Sequence, residues 1–216
     1  MTTNITELVF ILDRSGSMAG LEADTIGGFN AMLKKQQAQP GQARVTTLLF
    51  DNAHEFIHDR LDLAAVSPLN PDSYFVRGST ALLDAMGKSI QKVDRVMAAT
   101  DPEHRPHQVL FVIITDGMEN ASRRFTREQV VQLVHSRRQM GWEFIFLGAN
   151  MDAIQVAEGY GFSPDRAQTY MNDPQGVGMN FDAVSRLASE VRASRPIPQD
   201  WDRDIKERGS RKKRSS

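Results

Sequence analysis

Apolar residues follow two rhythms along this chain. Two runs, 6–13 (TELVFILD) and 108–115 (QVLFVIIT), are rich in β-branched and aromatic side chains with little alternation, which predicts strands buried on both faces. Elsewhere the spacing is helical. Ile26, Phe29, Met32 and Leu33 predict a helix over 21–39 that stops at QPGQ, and Leu82, Leu83, Met86, Ile90 and Val93 predict another over 80–99. Runs at 44–50 and 54–60 flank the turn-forming Asp51-Asn52-Ala53, so they read as a hairpin with one antiparallel strand at a sheet edge. Beyond this second helix, which a two-proline loop precedes, and the 108–115 run come a helix over 126–140 opened by the cap-like TREQ, a strand over 142–147 and a short helix over 152–160. An edge strand over 168–171 and a last helix over 177–192 complete the periodic part.

Strands alternating with helices of this length predict an α/β fold: a doubly wound, mostly parallel central sheet of about six strands with one antiparallel edge strand and helices on both faces. From RPIPQD at Arg195 onward the apolar periodicity ends, and GSRKKRSS at the end has four basic residues and no acidic ones. One domain over 1–195 and a flexible, basic tail over 196–216 are therefore expected.

Composition narrows the class without choosing a function. At 216 residues, 40% hydrophobic and 25% charged, the chain can bury one sizeable core. A formal charge of −1 provides no global field to recruit nucleic acid or an anionic membrane. The lack of cysteine excludes disulfides and thiolate metal sites, and no run approaches the ~20 apolar residues of a membrane span. MTTNITE lacks the basic start and apolar run of a secretory signal, so the expected location is cytoplasmic, with no membrane partner.

The chemistry lies where strands end. In a doubly wound sheet, loops leaving the carboxyl ends of neighbouring strands converge where the strand order reverses. Asp13, Ser15 and Ser17 leave one such end, Asp116 leaves another after the most apolar run, and Thr80 stands at a glycine-preceded junction between loop and helix. Two carboxylates and three hydroxyls suit a hard cation such as Mg²⁺, which takes ~6 oxygens at ~2.1 Å.

These residues carry a resemblance. DRSGS resembles the DxSxS motif of von Willebrand factor type A domains, whose metal-ion-dependent adhesion site is completed by a Thr in a Gly-rich loop and an Asp in a strand-end TDG. All five positions, Asp13, Ser15, Ser17, Thr80 and Asp116, occur in that order, and the resemblance spans 6–192. Gly78-Ser79-Thr80 departs slightly, since many relatives have two glycines before the Thr, but the hydroxyl is kept. The resemblance implies a Rossmann-like fold and a Mg²⁺ or Mn²⁺ held by the hydroxyls of Ser15, Ser17 and Thr80, the last directly or through water. Asp13 and Asp116 would act mainly through waters and by holding the hydroxyls. It further implies a partner protein that presents Asp or Glu to the metal, and binding rather than catalysis. No GxxxxGK loop is present, and relatives of this type work beside ATPases or in larger assemblies, which suggests a protein complex as the setting. Glu119 and Asn120 are expected at the rim, facing solvent.

Two rival readings come from other residues. HEFIH, His54–His58, fits the HExxH pattern of zinc proteases, but that chemistry requires a helix. On a strand the two histidines stand ~13 Å apart, so they are expected on an exposed strand face instead. The basic tail, with Arg123, Arg124 and Arg127, raises nucleic-acid binding as an alternative, although no aromatic residues interleave the tail for stacking.

Overall fold

The structure is a computed structural model that describes residues 4–215, with side chains described as far as residue 211. Among the described residues six strands form one sheet: β1 (Ile5–Asp13), β2 (Gln42–Phe50), β3 (His54–Asp62), β4 (Gln108–Thr115), β5 (Glu143–Ala149) and β6 (Ala167–Tyr170). Their order is β3-β2-β1-β4-β5-β6, with β2 and β3 antiparallel and every other pair parallel. The helices are α1 (Glu22–Gln37), α2 (Leu82–Ala99), α3 (Arg127–Gln139), α4 (Ala153–Glu158), α5 (Pro174–Arg192) and α6 (Arg203–Ser215). This is the α/β arrangement that the hydrophobic pattern predicts, hairpin included.

The unbroken apolar runs are explained by two separate cores. Leu8, Phe10 and Leu12 of β1 pack with α1 and α5 on one face, while Val9 and Ile11 pack with α2, α3 and α4 on the other. β4 divides in the same way, with Leu110, Val112 and Ile114 on the first face and Val109, Phe111 and Ile113 on the second. A strand between two apolar layers has no solvent side on which to place polar residues. Hence the polar residues of β1 and β4 gather at the ends, and the carboxyl ends of both lie side by side where the strand order turns back.

Caps set the helix starts. Thr126 and Gln129 form a reciprocal capping box on α3, as TREQ predicts. α5 begins three residues before the expected 177, because Asp173 accepts the Gly176 N–H at 2.8 Å and Pro174 takes the first turn, where a missing N–H is harmless.

Two expectations are corrected. The first concerns HEFIH: it lies on β3, but its histidines do not share an exposed face. Pairing steps from Leu48–Phe56 to Thr47–His58, so β3 carries an extra residue there, and such a bulge turns the following side chains over. His54 contacts Lys88 of α2, whereas His58 is buried on the opposite face, stacked on Phe29 of α1 at 6.2 Å with its Nδ1 3.0 Å from Thr47 Oγ1. No single ion can bridge two sides of a sheet. The second concerns the tail expected from 196. Ile197, Trp201 and Ile205, four residues apart, enter the α1–α5 core, Trp201 Nε1 donates to the Asp165 carbonyl at 2.9 Å, and α6 runs on to Ser215. Three isolated apolar residues among charges are too sparse to register as periodicity, yet each fills a place on the core. Residue 216 lies outside the described residues. No helix among the described residues is long and apolar enough to cross a membrane.

Candidate metal centre

β1 delivers Asp13 to the rim of the sheet with its carboxylate fully engaged. Oδ1 accepts the Ser15 N–H at 2.7 Å and Oδ2 accepts the Thr115 hydroxyl at 2.5 Å, which ties the end of β1 to the end of β4. The Asp13 carbonyl accepts the buried Tyr74 hydroxyl at 2.6 Å. A single 3-10 turn, Gly16–Met18, then brings the Ser17 hydroxyl back to within 3.0 Å of Ser15 Oγ.

The second and third segments close on this loop. Thr80 Oγ1 donates to Ser15 Oγ at 3.1 Å, and Ser17 Oγ donates to Asp116 Oδ1 at 2.5 Å. All five residues singled out in the sequence therefore meet. Asp13, Ser15, Thr80 and Asp116 are buried while Ser17 is exposed, so the group opens to solvent on the Ser17 side. Gly117 bounds it closely: a Cβ there would lie 2.5 Å from Thr80 Oγ1, 3.1 Å from Ser17 Oγ and 3.4 Å from Ser15 Oγ. A point faced by three hydroxyls and left open by a glycine is a cradle whose donor set, all oxygen, fits a small hard cation.

Several residues that hold the centre were not read as such in the sequence. Asn120 and Glu119 are not idle rim residues. Asn120 Oδ1 accepts the Thr80 N–H at 2.9 Å, and Glu119 accepts the N–H groups of Leu83 (2.9 Å), Ala121 (3.1 Å) and Ser122 (2.8 Å), capping the start of α2. Asn172, between β6 and α5, donates to Asp116 Oδ2 at 3.0 Å. The pairs Asn120–Thr80, Glu119–Leu83 and Asn172–Asp116 lie 36–56 residues apart in sequence, so local pattern carries no trace of them. Thr115 had a signal: it is a hydroxyl ending an otherwise apolar strand directly before Asp116.

Burial pushes the Asp13 carboxyl up to about 6, from 3.8, against hydrogen bonds from Thr115 and Ser15 that favour its charged form; the nearby Asp116 raises it further. Asp116 is also raised, chiefly by burial, with Ser17 and Asn172 opposing. Between pH 4 and 6 the native chain thus holds a proton on Asp13 that the unfolded chain has released. Stability of the metal-free protein therefore falls as pH rises through that window, by on the order of 3 kcal/mol from this group, and stays lower above it. Asp13→Asn removes that loss. Its amide oxygen keeps the Ser15 N–H, and its NH₂ donates to Thr115 Oγ1, whose proton turns to the Gly117 carbonyl at 3.1 Å. Thermal melts in chelator should show the variant more stable than the parent at pH 7.5 and not at pH 4.5. Equal midpoints at pH 7.5 would contradict the assignment.

Comparison with known proteins gives no match to any family model and none to a curated protein. Solved structures do match. The vWF domain of the type V pili tip protein Mfa5 from Porphyromonas gingivalis superposes with a TM-score of 0.61 at 10% identity, over 88% of this chain and 96% of that one. A von Willebrand factor type A structure from Catenulispora acidiphila gives 0.55 at 13% identity, over 85% of this chain and 42% of that one. The fold is that of a von Willebrand factor type A domain. Proximal thread matrix protein 1 from the mussel byssus, in a structure with a zinc-occupied MIDAS motif, gives 0.53 at 12% identity, over 85% of this chain and 45% of that one. The chain thus spans less than half the length of the last two. No group of three or more His, Asp or Glu side chains is placed to hold a metal among the described residues, so the candidate centre rests on its hydroxyls.

Proposed function

We propose that the chain is a metal-dependent protein-binding module. A divalent cation, Mg²⁺ or Mn²⁺, held by the hydroxyls of Ser15, Ser17 and Thr80, takes an Asp or Glu side chain of a partner protein. The observation that carries this reading is the convergence of those three hydroxyls on the space beside Gly117. Asp13 and Asp116 orient the hydroxyls by hydrogen bonds to the loop and to Ser17. When bound, the ion supplies a positive charge that neutral hydroxyls offset only partly, so a carboxylate is the ligand the site favours. The zinc-occupied motif of the mussel protein supports a divalent ion at this kind of site.

Gly117→Ala tests the cradle without removing a ligand. It should lower Mg²⁺ affinity by ~100-fold in calorimetry, comparable to the loss of a supporting contact at a metal site. The metal-free fold should persist, as circular dichroism will show. Partner proteins captured by the parent in Mg²⁺ should be lost both in chelator and with the variant. Equal capture with Mg²⁺ and with chelator rules the docking model out.

A further inference from the structure

Beside the metal-facing Thr80 lies a cavity of about 440 Å³ lined by Asn52, Ser79, Asn120, Ala121, Ser122 and Arg123. We propose that this cavity is a second anion subsite, which takes another acidic side chain of the same partner segment that offers its carboxylate to the metal. The inference rests on the metal-docking reading above and specifies the partner further: two acidic residues in one extended stretch.

Charge and chemistry point to this occupant. Arg123 is the charged residue in the lining, it is exposed, and no carboxylate among the described residues pairs with its guanidinium. The acids nearest in the fold are already committed. Asp84 accepts the backbone N–H groups of Arg123 (3.0 Å), Arg124 (2.8 Å) and Phe125 (2.9 Å), and both oxygens of Glu119 are taken by N–H and hydroxyl donors. Asp51, next to Asn52, is bound by Arg14 and Arg77. Of the remaining lining, the Ser79 hydroxyl and the side-chain NH₂ groups of Asn52 and Asn120 can donate to an anion, while the Ser122 hydroxyl is held by Glu119. With the oxygens of those acids held by N–H donors or by Arg14 and Arg77, the Arg123 guanidinium, which no carboxylate among the described residues pairs, is the group that attracts negative charge to the cavity.

Position adds a length. Ser79 and Thr80 are adjacent, and Asn120 both lines the cavity and holds the Thr80 N–H, so subsite and metal centre share one wall. Side chains at i and i+2 of an extended peptide lie on one face ~6.6 Å apart, a span that suits two neighbouring sites. The segment recognised is therefore acidic-x-acidic, with one carboxylate on the metal and the next at Arg123.

Two synthetic peptides decide the matter, Gly-Gly-Glu-Ser-Glu-Gly-Gly and the same sequence with its second Glu replaced by Gln, titrated by NMR into the full chain in Mg²⁺ and in chelator. The two-Glu peptide should bind about five- to tenfold tighter in Mg²⁺, the worth of one charge-assisted contact. Arg123→Gln should erase that advantage while leaving the one-Glu peptide and calorimetric Mg²⁺ binding unchanged. Equal affinity of the two peptides, or an advantage that survives Arg123→Gln, overturns the subsite and leaves metal docking standing. No Mg²⁺-dependent binding of either peptide overturns both.

Discussion

Asp51→Ala should destabilise the protein by about 3–5 kcal/mol, the cost of stranding a buried charge. The charge is Arg14, whose side chain is 0% exposed between Asp13 and Ser15 of the site loop. Arg14 Nε donates to Asp51 Oδ2 at 2.9 Å, and Arg77 Nε donates to the same oxygen at 2.8 Å. Asp51 Oδ1 accepts the Ala53 N–H at 2.7 Å, and the Asp51 carbonyl accepts the Ala81 N–H at 2.9 Å. One carboxylate thus ties the β2–β3 turn to both segments that supply hydroxyls to the centre. Glu55 also reaches Arg14 at 2.9 Å, but its side chain is 54% exposed and cannot replace a buried partner. Urea unfolding measures the loss. A second variant, Arg14→Met with Asp51→Ala, should recover part of it, because removing both members of a buried pair costs less than removing one. A loss below about 1 kcal/mol for Asp51→Ala would show that water reaches Arg14.

The same pair has a pH signature opposite to that of Asp13. Burial raises the Asp51 carboxyl, but hydrogen bonds from Arg77, the Ala53 N–H and Arg14 outweigh it and hold it below its usual 3.8. Its contribution to stability is therefore complete above that value and is lost as pH falls below it. Asp51 adds acid lability, whereas Asp13 weakens the metal-free fold above pH 6.

Arg192→Met should cost about 2–4 kcal/mol, since it takes a buried donor from the carbonyls of Gln39, Pro40 and Gly41 just past the end of α1. Arg192 is 8% exposed at the last turn of α5. Its Nη1 donates to the Gln36 carbonyl at 2.7 Å and to Gln36 Oε1 at 3.0 Å, and its Nη2 donates to the carbonyls of Gln39 (3.3 Å), Pro40 (3.0 Å) and Gly41 (2.9 Å). Gln36 belongs to the last turn of α1 and Gln39, Pro40 and Gly41 to the segment just past its end, where carbonyls lack helical partners and a cation is also favoured by the helix dipole. Burial lowers the Arg192 pKa, yet a guanidinium stays charged in such surroundings. Arg192→Lys should regain less than half of the loss, because a compact ammonium cannot reach acceptors spread over a planar fork. Full rescue by lysine in chemical denaturation would reduce the role to simple charge.

The candidate centre was legible because its residues come as short motifs at strand ends, where a polar group in an apolar context has few alternatives. Asp13-Arg14-Ser15-Gly16-Ser17 and Thr115-Asp116-Gly117 stand out directly after the two most buried strands. What holds them in place was not legible. Asn172 reaching Asp116, Asn120 reaching Thr80 and Arg14 finding Asp51 are each one side chain meeting a distant segment, and no local pattern encodes such a meeting. The histidines of HEFIH show the same limit in another form. Their strand was foreseeable, but the bulge that sends His54 and His58 to opposite faces depends on pairing with β2.

By itself, the order of apolar and polar residues determined the alternation of strands and helices, the two-faced burial of β1 and β4, and the strand ends at which carboxylates and hydroxyls collect, because each follows from local periodicity and the cost of burying a lone polar group. The tertiary structure alone decided which distant side chains complete the centre, that Ile197, Trp201 and Ile205 belong to the core, and that the cavity beside Thr80 is lined by an arginine that no carboxylate among the described residues pairs. Those outcomes depend on packing between segments far apart in the chain, where distance and enclosure, rather than residue type, set the energy.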